Sequence, residues 1–305
     1  MSCSYLAVGY DCNHKCICCP LTTYDRLHKK IELADIMGRI DRIPKSEDNY
    51  IVLSGGEPML HPDFFEILNY LSQKNFYITI LSNSSKCKDI GFAKKLAEYP
   101  QIDVVTAIHS SNTKIHDEMT GISGSLLETL EGLDNLVEEG VAVTIKHIFN
   151  KRTLPTIIET FDYLEKHFPP QVSFQFCTMD YSGRAKKNRS VLFASREEIS
   201  SGLENVIDLL ETRMSRKRRI SVIETPYCFA DPYYWKYFEG TIGLLSTYIA
   251  PNTDEKEVTF EVDSLCNTNY QQCQACVLKS FCSGVWESAY DIDNELLTPV
   301  DTYDI

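Results

Sequence analysis

Short apolar runs alternate with amphipathic stretches over roughly the first 180 residues of the chain. Six runs have the length and the β-branched and aromatic content of strands: residues 5–9, 50–53, 77–81, 102–108, 141–149 and 172–177. Between them apolar residues recur at helical spacing, most clearly at Leu126, Leu130 and Leu133, before the helix-ending Gly140. This alternation predicts βαβ units and therefore an α/β fold with a parallel sheet.

The segments that follow the predicted strands are expected to form the ligand-binding edge of the sheet. Right-handed crossovers between six parallel strands give either an open doubly wound sheet or a partial barrel, and periodicity alone does not separate the two. In both architectures ligands bind at the carboxyl ends of the strands. The segments concerned are residues 10–20, 54–58, 82–85, 109–111 and 178–184.

The βα alternation stops near residue 180. Beyond it the pattern predicts a polar linker at residues 186–190, a helix at 196–214, a strand at 219–224 and a hairpin from 241–249 and 257–262. We therefore divide the chain into a larger region, residues 1–185, and a smaller α+β region, residues 186–305. The basic run at residues 213–219 is typical of a solvated helix end, although it could meet an acidic substrate segment.

Composition and charge limit the kinds of molecule that the protein is expected to bind. Thirty Lys and Arg residues against 43 Asp and Glu residues give a net charge of −13, which argues against a nucleic-acid partner. No apolar stretch approaches the ~20 residues that cross a bilayer, and the first residues lack the basic start of a signal peptide. We expect a cytoplasmic protein without a membrane partner. In that reducing compartment, twelve cysteines indicate metal binding rather than disulfides.

Three cysteines lie in the loop after the first predicted strand. Cys12, Cys16 and Cys19 are separated by three and two residues, with Cys18 beside the third. Iron–sulfur clusters normally use four thiolates, so a loop with three leaves one iron open to an exogenous ligand. The alternative is a structural zinc site completed by His14 or Cys18.

A Gly-Gly-Glu-Pro turn follows the second predicted strand. The paired glycines Gly55 and Gly56 would let a ligand approach the backbone closely. Glu57 supplies a carboxylate that could meet an ammonium group, and Pro58 fixes the turn into the next helix. A Gly-Gly-Glu turn alone often has no role beyond turning the chain. Here it follows the next strand after a CxxxCxxC loop, and the two motifs together are specific.

These two motifs resemble those of the radical S-adenosylmethionine (AdoMet) superfamily, over residues 4–180. The resemblance implies a partial (β/α)6 barrel and a [4Fe–4S] cluster on Cys12, Cys16 and Cys19. It further implies that AdoMet chelates the open iron and that residues 55–57 hold its amino group. Electron transfer to the sulfonium would release a 5′-deoxyadenosyl radical that abstracts a hydrogen atom from substrate, while the protein orients the reactants and excludes water.

Other positions match this family less closely. Ser82 and Asn83 resemble its polar segment near the methionine moiety. After strand four, residues 107–110 read Ala-Ile-His-Ser where many relatives have Ser-x-Asp-Gly, and residues 120–121 read Thr-Gly where they have Arg-Gly. His109 is a candidate for the missing polar contact, the alternative being an ordinary loop or core histidine.

Alternation within strands five and six predicts which side chains face the barrel interior. Apolar residues at every second position should meet the helices. The polar positions between them should then turn inward, and they include Thr144, Lys146, Ser173, Gln175 and Cys177. These residues are candidates to line a substrate cavity, although any half-solvated strand alternates in this way.

A second cysteine group lies near the end of the chain. Cys273, Cys276 and Cys282 form a CxxCxxxxxC run, and Cys266 precedes it by seven residues. Taken alone, this spacing suits zinc and iron–sulfur binding equally. Beside a radical AdoMet core it resembles the SPASM and twitch extensions, which carry auxiliary [4Fe–4S] clusters. The further cysteines of a full SPASM domain are missing, which implies one auxiliary cluster, with either Cys266 or Cys228 as its fourth ligand.

SPASM and twitch enzymes mostly crosslink, epimerise or oxidise ribosomally made peptides, so the resemblance implies a peptide maturase. The Gly-Arg-Ala segment at residues 183–185 is frequent in that subgroup. The implied partners are a peptide and a reductant such as flavodoxin or ferredoxin. Because no winged-helix extension precedes strand one, the leader would be recognised either by a separate protein or directly by the carboxy-terminal region. Alternatives are a twitch-type small-molecule dehydrogenase and a non-catalytic iron–sulfur or zinc protein. No catalytic side chain is predicted.

Overall fold

A computed structural model describes residues 2–21, 31–43, 49–213, 218–239, 245–249, 259–261, 266–268 and 270–301. Its strands are β1 (Ser2–Ala7), β2 (Asn49–Ser54), β3 (Tyr77–Leu81), β4 (Ile102–Ala107), β5 (Ala142–Ile148), β6 (Ser173–Cys177), β7 (Ile220–Ile223), β8 (Leu245–Ile249), β9 (Thr259–Glu261), β10 (Cys266–Asn267) and β11 (Val285–Trp286). Its α-helices are α1 (Leu33–Arg42), α2 (Phe64–Gln73), α3 (Ile90–Ala97), α4 (Thr113–Thr120), α5 (Ser125–Glu138), α6 (Ile157–His167), α7 (Gly183–Lys187), α8 (Arg189–Leu192), α9 (Arg196–Thr212) and α10 (Glu287–Tyr290). Six 3-10 segments complete the description: Pro58–Leu60, Ser85–Lys88, Leu154–Thr156, Tyr227–Phe229, Pro232–Tyr237 and Gln271–Ala275.

One large sheet organises the molecule. Its strands lie in the order β7-β6-β5-β4-β3-β2-β1-β8-β9, and the neighbours from β7 to β8 are parallel. Helices connect the successive parallel strands, as the sequence pattern predicted. The fold is mixed α/β with a partial-barrel sheet, which decides between the two architectures that periodicity left open.

The consecutive strands β1 to β7 form a parallel series of seven rather than the predicted six, and β8 adds a further parallel strand beside β1. The expected strand at residues 219–224 is β7, which pairs with β6. The predicted hairpin is present as β8 and β9, although parts of both predicted ranges lie outside the described residues. Because β7 and β8 extend the same sheet, the sheet continues past residue 185, and the division of the chain there stays a prediction.

The two faces of the sheet have the predicted polarity. On the helix side, Val143, Ile145, Phe174 and Phe176 are at most 4% exposed, which places the hydrophobic core between sheet and helices. On the other side, half-buried polar residues lie opposite one another across β5 and β6. The polar face therefore lines the interior of the partial barrel.

Two expectations outside the sheet are corrected. Residues 186–190, predicted to be a polar linker, lie in the short helices α7 and α8, with Asn188 at the turn between them. In the basic run, Arg218 is only 5% exposed and pairs with Glu165, so it is not a solvated residue. Residues 214–217 of that run lie outside the described residues. No helix within the described ranges combines the length and the apolar character needed to cross a bilayer.

Candidate metal and cofactor site

The first cysteine loop follows β1 and is held from two sides. The Lys15 N–H donates to the carbonyl of Thr120 at 2.8 Å, which ties the loop to the end of α4. Gly121 has a φ of +68°, and a Cβ there would lie 2.9 Å from the Lys15 carbonyl oxygen. From the other side, the Arg184 N–H donates to the carbonyl of Cys19 at 2.9 Å. The Thr-Gly pair at residues 120–121 thus supports the loop through its backbone.

The three predicted ligand thiols are close neighbours. Cys12, Cys16 and Cys19 are all half-buried. Burial is the main reason that the pKa of Cys12 rises to about 11 and that of Cys16 to about 12, and neighbouring thiols add to both shifts. Thiols in this environment need a positive partner to ionise, and iron supplies one because metal binding releases the proton.

Cys18 is set apart from these three thiols. It is 7% exposed, and its Sγ lies 3.9 Å from Nε2 of His109. Cys18 therefore packs into the protein interior, while Cys19 stays half-exposed. This orientation agrees with the choice of Cys19 that spacing alone had suggested.

The Gly-Gly-Glu turn packs directly on the cysteine loop. The N–H of Gly56 donates to the Gly9 carbonyl at 2.8 Å, and the N–H of Glu57 donates to the Asp11 carbonyl at 2.7 Å. A Cβ at Gly55 would lie 2.1 Å from the Gly9 oxygen, and a Cβ at Gly56 would lie 2.1 Å from the Asp11 oxygen. The glycines are needed here for close approach between two loops of the protein.

The carboxylate of Glu57 braces the ends of β2 and β3. It is buried and accepts hydrogen bonds from the Met59 N–H at 3.1 Å, the Ser82 hydroxyl at 2.7 Å and the Asn83 N–H at 2.7 Å. Burial raises its pKa, against the effect of these donors. Pro58 begins the 3-10 segment that follows. Contact between Glu57 and an ammonium group stays a prediction.

An amide pair joins this brace to the cysteine loop. The side-chain NH2 of Asn83 donates to Oδ1 of Asn13 at 2.8 Å, and that of Asn13 donates to the Ser85 hydroxyl at 2.8 Å. The predicted residues Ser82 and Asn83 therefore lie beside the three-thiol loop. Asn13 was not predicted, and its position inside the CxxxCxxC spacing was the available signal.

His109 lies behind the loop. It is 4% exposed, and its backbone N–H donates to Nδ1 of His116 at 3.3 Å. Burial holds its pKa well below the usual range, so the ring is neutral. Its Nδ1 is buried and has no hydrogen-bond partner among the residues that the structure describes. A polar contact from His109 to a cofactor stays a prediction.

A charged pair occupies the interior of the partial barrel. Lys146, predicted to face inward, lies 3.2 Å from the Glu224 carboxylate in an Nζ–Oε2 ion pair. Cys177 is buried beside the pair, and burial raises its pKa to about 12. Glu224 has a φ of +49°, and its carbonyl accepts a hydrogen bond from the Thr178 hydroxyl. A strained non-glycine residue at a strand end is a common feature of functional sites.

The second cysteine group forms one cavity. Cys228, Cys273, Cys276 and Cys282 all line it. Backbone N–H groups point at the thiols, such as that of Gly284, which is 3.3 Å from Sγ of Cys282. Burial raises the pKa of Cys228 to about 12, and the other three thiols add to this shift. The structure therefore brings Cys228 to the other cysteines although it is 45 residues from Cys273 in the chain.

Cys266 is described only through its backbone. It lies in β10, antiparallel to β11, with Trp286 as its pairing partner. Its side chain lies outside the described residues. Among the residues whose side chains are described, no three His, Cys, Asp or Glu groups converge on a single metal ion. A cubane instead takes each thiolate at a different iron.

A short segment, residues 180–184, lies between the first cysteine loop and α10 and is called the strap. At one end the strap packs on the first loop, since a Cβ at Gly183 would lie 2.3 Å from the Pro20 carbonyl oxygen. At the other end, Asp180 accepts a hydrogen bond of 2.7 Å from the hydroxyl of Ser288, which accepts one of 2.8 Å from the Tyr181 N–H. A cavity of about 340 Å³ lies beside the strap, between it and β11 and α10.

Comparison with known proteins agrees with this arrangement. The family model of the radical SAM superfamily matches residues 6–167. Fe-coproporphyrin III synthase from Methanosarcina barkeri is 30% identical over 178 residues, which are 58% of this chain and 43% of that protein. Mycofactocin maturase MftC from Mycobacterium tuberculosis is 24% identical over 151 residues, 49% of this chain and 38% of that protein. The matched region is thus less than half the length of either relative.

Solved structures share the fold. The crystal structure of Streptococcus suis SuiB bound to precursor peptide SuiA superposes with a TM-score of 0.70 at 15% identity, covering 98% of this chain and 74% of SuiB. Native anSMEcpe with bound AdoMet gives a TM-score of 0.68 at 17% identity, covering 98% of this chain and 92% of that chain. Membership of a family that uses a [4Fe–4S] cluster and AdoMet follows from the family match together with the half-buried three-thiol loop. The chain belongs to the radical SAM superfamily.

Proposed function

We propose that the protein binds a [4Fe–4S] cluster through Cys12, Cys16 and Cys19 and uses AdoMet to remove a hydrogen atom from a ribosomally made peptide. The observation that carries this proposal is the three-thiol loop packed against the Gly-Gly-Glu turn. The three thiols are half-buried neighbours, and burial raises the pKa of Cys12 and of Cys16, so this is a donor set that suits iron. When bound, AdoMet and the cluster supply the radical chemistry, and the protein orients the reactants and excludes water.

The second cysteine cavity is proposed to hold one auxiliary [4Fe–4S] cluster on Cys228, Cys273, Cys276 and Cys282. Four thiols lining one cavity meet the usual requirement of a closed cluster. The N–H groups beside Cys276 and Cys282, at 3.4 and 3.3 Å, would stabilise thiolates there. Cys266 remains the alternative fourth ligand.

A peptide substrate is supported by the relatives whose names describe peptide chemistry, MftC as a maturase and SuiB with its bound precursor peptide. The barrel interior offers Lys146 and Glu224 as charged groups that could contact such a substrate. A flavodoxin or ferredoxin is the proposed reductant, and a separate leader-recognition protein remains a proposal.

A second candidate is a tetrapyrrole substrate. It is favoured by the 30% identity to Fe-coproporphyrin III synthase and by the 28% identity to AdoMet-dependent heme synthase from the same organism. The two candidates share the AdoMet chemistry and differ only in the molecule that loses the hydrogen atom.

Two adjacent cysteines provide a matched test of the core site. After anaerobic reconstitution and reduction with dithionite, Cys19→Ala should lose 5′-deoxyadenosine formation and the iron of the first cluster, because it removes a ligand. Cys18→Ala should keep both, since Cys18 packs into the interior. Mass spectrometry of the nucleoside and iron analysis are the readouts. Full activity in Cys19→Ala would contradict the assignment.

The substrate test uses the wild-type enzyme with two probes in parallel. One is a synthetic copy of the short peptides encoded beside the gene, and the other is a tetrapyrrole precursor of iron coproporphyrin III, because that compound is the named product of the first relative. Mass spectrometry should show loss of hydrogen or an added crosslink in the peptide alone. Modification of the tetrapyrrole alone would select the second candidate.

A further inference from the structure

We propose that the guanidinium of Arg184 faces the core cluster and makes that cluster easier to reduce. This inference rests on the proposed function, because it concerns the cluster held by Cys12, Cys16 and Cys19. Four observations carry it: the anchored backbone of Arg184, its charge beside the thiols, its unpartnered buried Nε, and the different surroundings of the neighbouring cations.

The backbone of Arg184 is anchored to the cysteine loop. Its N–H donates to the Cys19 carbonyl at 2.9 Å, and the N–H of Ala185 approaches the same oxygen at 3.4 Å. The preceding Gly183 has a φ of +53° and leaves no room for a Cβ against the Pro20 carbonyl. The chain therefore enters α7 with Arg184 held next to the third cysteine of the loop.

The charge of Arg184 acts on the thiols of the loop. Burial raises the pKa of Cys12 and of Cys16, and the Arg184 guanidinium opposes that rise in both. It acts in the same direction on the pKa of Cys18, behind burial and the neighbouring thiols. The guanidinium therefore lies within electrostatic reach of Cys12, Cys16 and Cys18.

Arg184 has a donor without an acceptor. Its Nε is buried and has no hydrogen-bond partner within the part of the chain that the structure describes. The same part of the chain shows no ion pair between Arg184 and an acidic side chain. A buried N–H of a charged group costs free energy if it stays unpaired. Thiolate and sulfide sulfurs of a bound cluster would supply an acceptor of the right charge.

Neighbouring cations of the same segment lie elsewhere. Lys186 and Arg189 line the 340 Å³ cavity on the other side of the strap. Neither residue is among the main causes of the pKa shifts of Cys12, Cys16 and Cys18. Lys186 is therefore a suitable control, because it has the same charge as Arg184 and lies in the same helix but lines the other cavity.

The expected consequence concerns the electron that the cluster accepts. Reduction adds one negative charge to a cluster already surrounded by three thiolates. Reduction potentials of such clusters depend on net charge, on hydrogen bonds to the sulfurs and on solvent exposure. A nearby guanidinium stabilises the reduced form, so removing it should lower the potential.

The test is an EPR-monitored redox titration of the full, anaerobically reconstituted protein in the absence of substrate. The core cluster is recognised as the one whose spectrum changes when AdoMet is added. In Arg184→Gln the equilibrium for its reduction should fall about tenfold, which is about 59 mV for one electron. Arg184→Lys should give an intermediate value, and Lys186→Gln should match the wild type.

Three results would overturn the inference. The first is a wild-type potential in Arg184→Gln with full iron content. The second is an unchanged potential with weaker AdoMet binding, which would place the guanidinium on the AdoMet carboxylate. The third is equal iron loss in Arg184→Gln and Arg184→Lys, which would mark a structural residue. If instead the wild type fails to cleave AdoMet while the potential shift is present, the proposed function fails and the placement of Arg184 stands.

Discussion

The residues of the Gly-Gly-Glu turn contact other parts of the protein itself. The glycines allow two loops to touch, and the Glu57 carboxylate accepts three hydrogen bonds from the segments that follow β2 and β3. The motif therefore holds the cysteine loop in place. At the residue scale, shape complementarity between two backbones explains the glycines better than flexibility does.

Gly56→Ala should remove the core cluster, because the new Cβ would lie 2.1 Å from the Asp11 carbonyl oxygen and the cysteine loop would have to move. We expect a loss of about 1–3 kcal/mol in the free energy of unfolding, which is typical of overpacking. Iron analysis and urea unfolding measure the two effects.

Gly38→Ala is the control, since it lies inside α1 and its Cβ would meet only a side-chain nitrogen of Arg42, at 3.9 Å. It should keep its iron and gain up to about 1 kcal/mol. A fully loaded Gly56→Ala would show that the loops tolerate separation.

At the scale of elements, α6 and β7 meet around a buried ion pair. Nε of Arg218 lies 2.6 Å from the Glu165 carboxylate, and its NH2 group donates to the Phe168 carbonyl at 2.9 Å. The guanidinium also stacks 4.2 Å from the ring centre of Phe174 in β6. One arginine thus connects α6, β6 and the start of β7, and positions β7 to carry Glu224 at the mouth of the barrel.

Glu165→Ala should be strongly destabilising, because it leaves the guanidinium of Arg218 buried without its counter-charge. The expected loss is about 3–5 kcal/mol in the free energy of unfolding. Lys166→Ala, one residue away on α6, breaks an exposed pair with Asp162 and should cost less than about 1 kcal/mol. Chemical unfolding of both variants under anaerobic conditions gives the comparison. Equal losses would contradict the role of burial.

The sequence predicted the strands and helices well where their hydrophobic periodicity was strong. β3 was predicted at its observed bounds and β6 within one residue, because each has one face buried on the core. It did not predict that residues 186–190 are helical, since a polar segment of that length carries no periodic apolar face. Glu224 was missed for another reason: its role depends on a positive φ and on a partner 78 residues away, and neither leaves a local signal. The burial of Arg218 was not predicted, because a run of basic residues does not reveal which of them is buried.

At the scale of the molecule, two separate cysteine sites predict two clusters. Reconstituted wild-type protein should contain about eight iron and eight sulfide per chain, since each cubane contributes four of each. Cys228→Ala should fall to about half of that content, because Cys228 lines the second cavity with Cys273, Cys276 and Cys282. The AdoMet-sensitive spectrum of the core cluster should persist in that variant.

Cys266→Ala is the matched comparison, since spacing had left Cys266 and Cys228 as equal candidates. Mössbauer spectra and iron counts of the two variants distinguish them. Loss of the second cluster in Cys266→Ala alone would reverse the assignment. No loss in either variant would favour a second cluster on Cys273, Cys276 and Cys282 with an open iron.

The strap links the first cysteine loop to α10, the helix that begins five residues after Cys282. One end is hydrogen-bonded to the carbonyl of Cys19 and the other end to Ser288. Ordering either end restricts the strap, so the entropy lost when the second end is ordered is smaller. Coupling of this kind is reciprocal in free energy. We therefore expect assembly of the protein to be cooperative, with iron loading at one cysteine site increasing iron loading at the other.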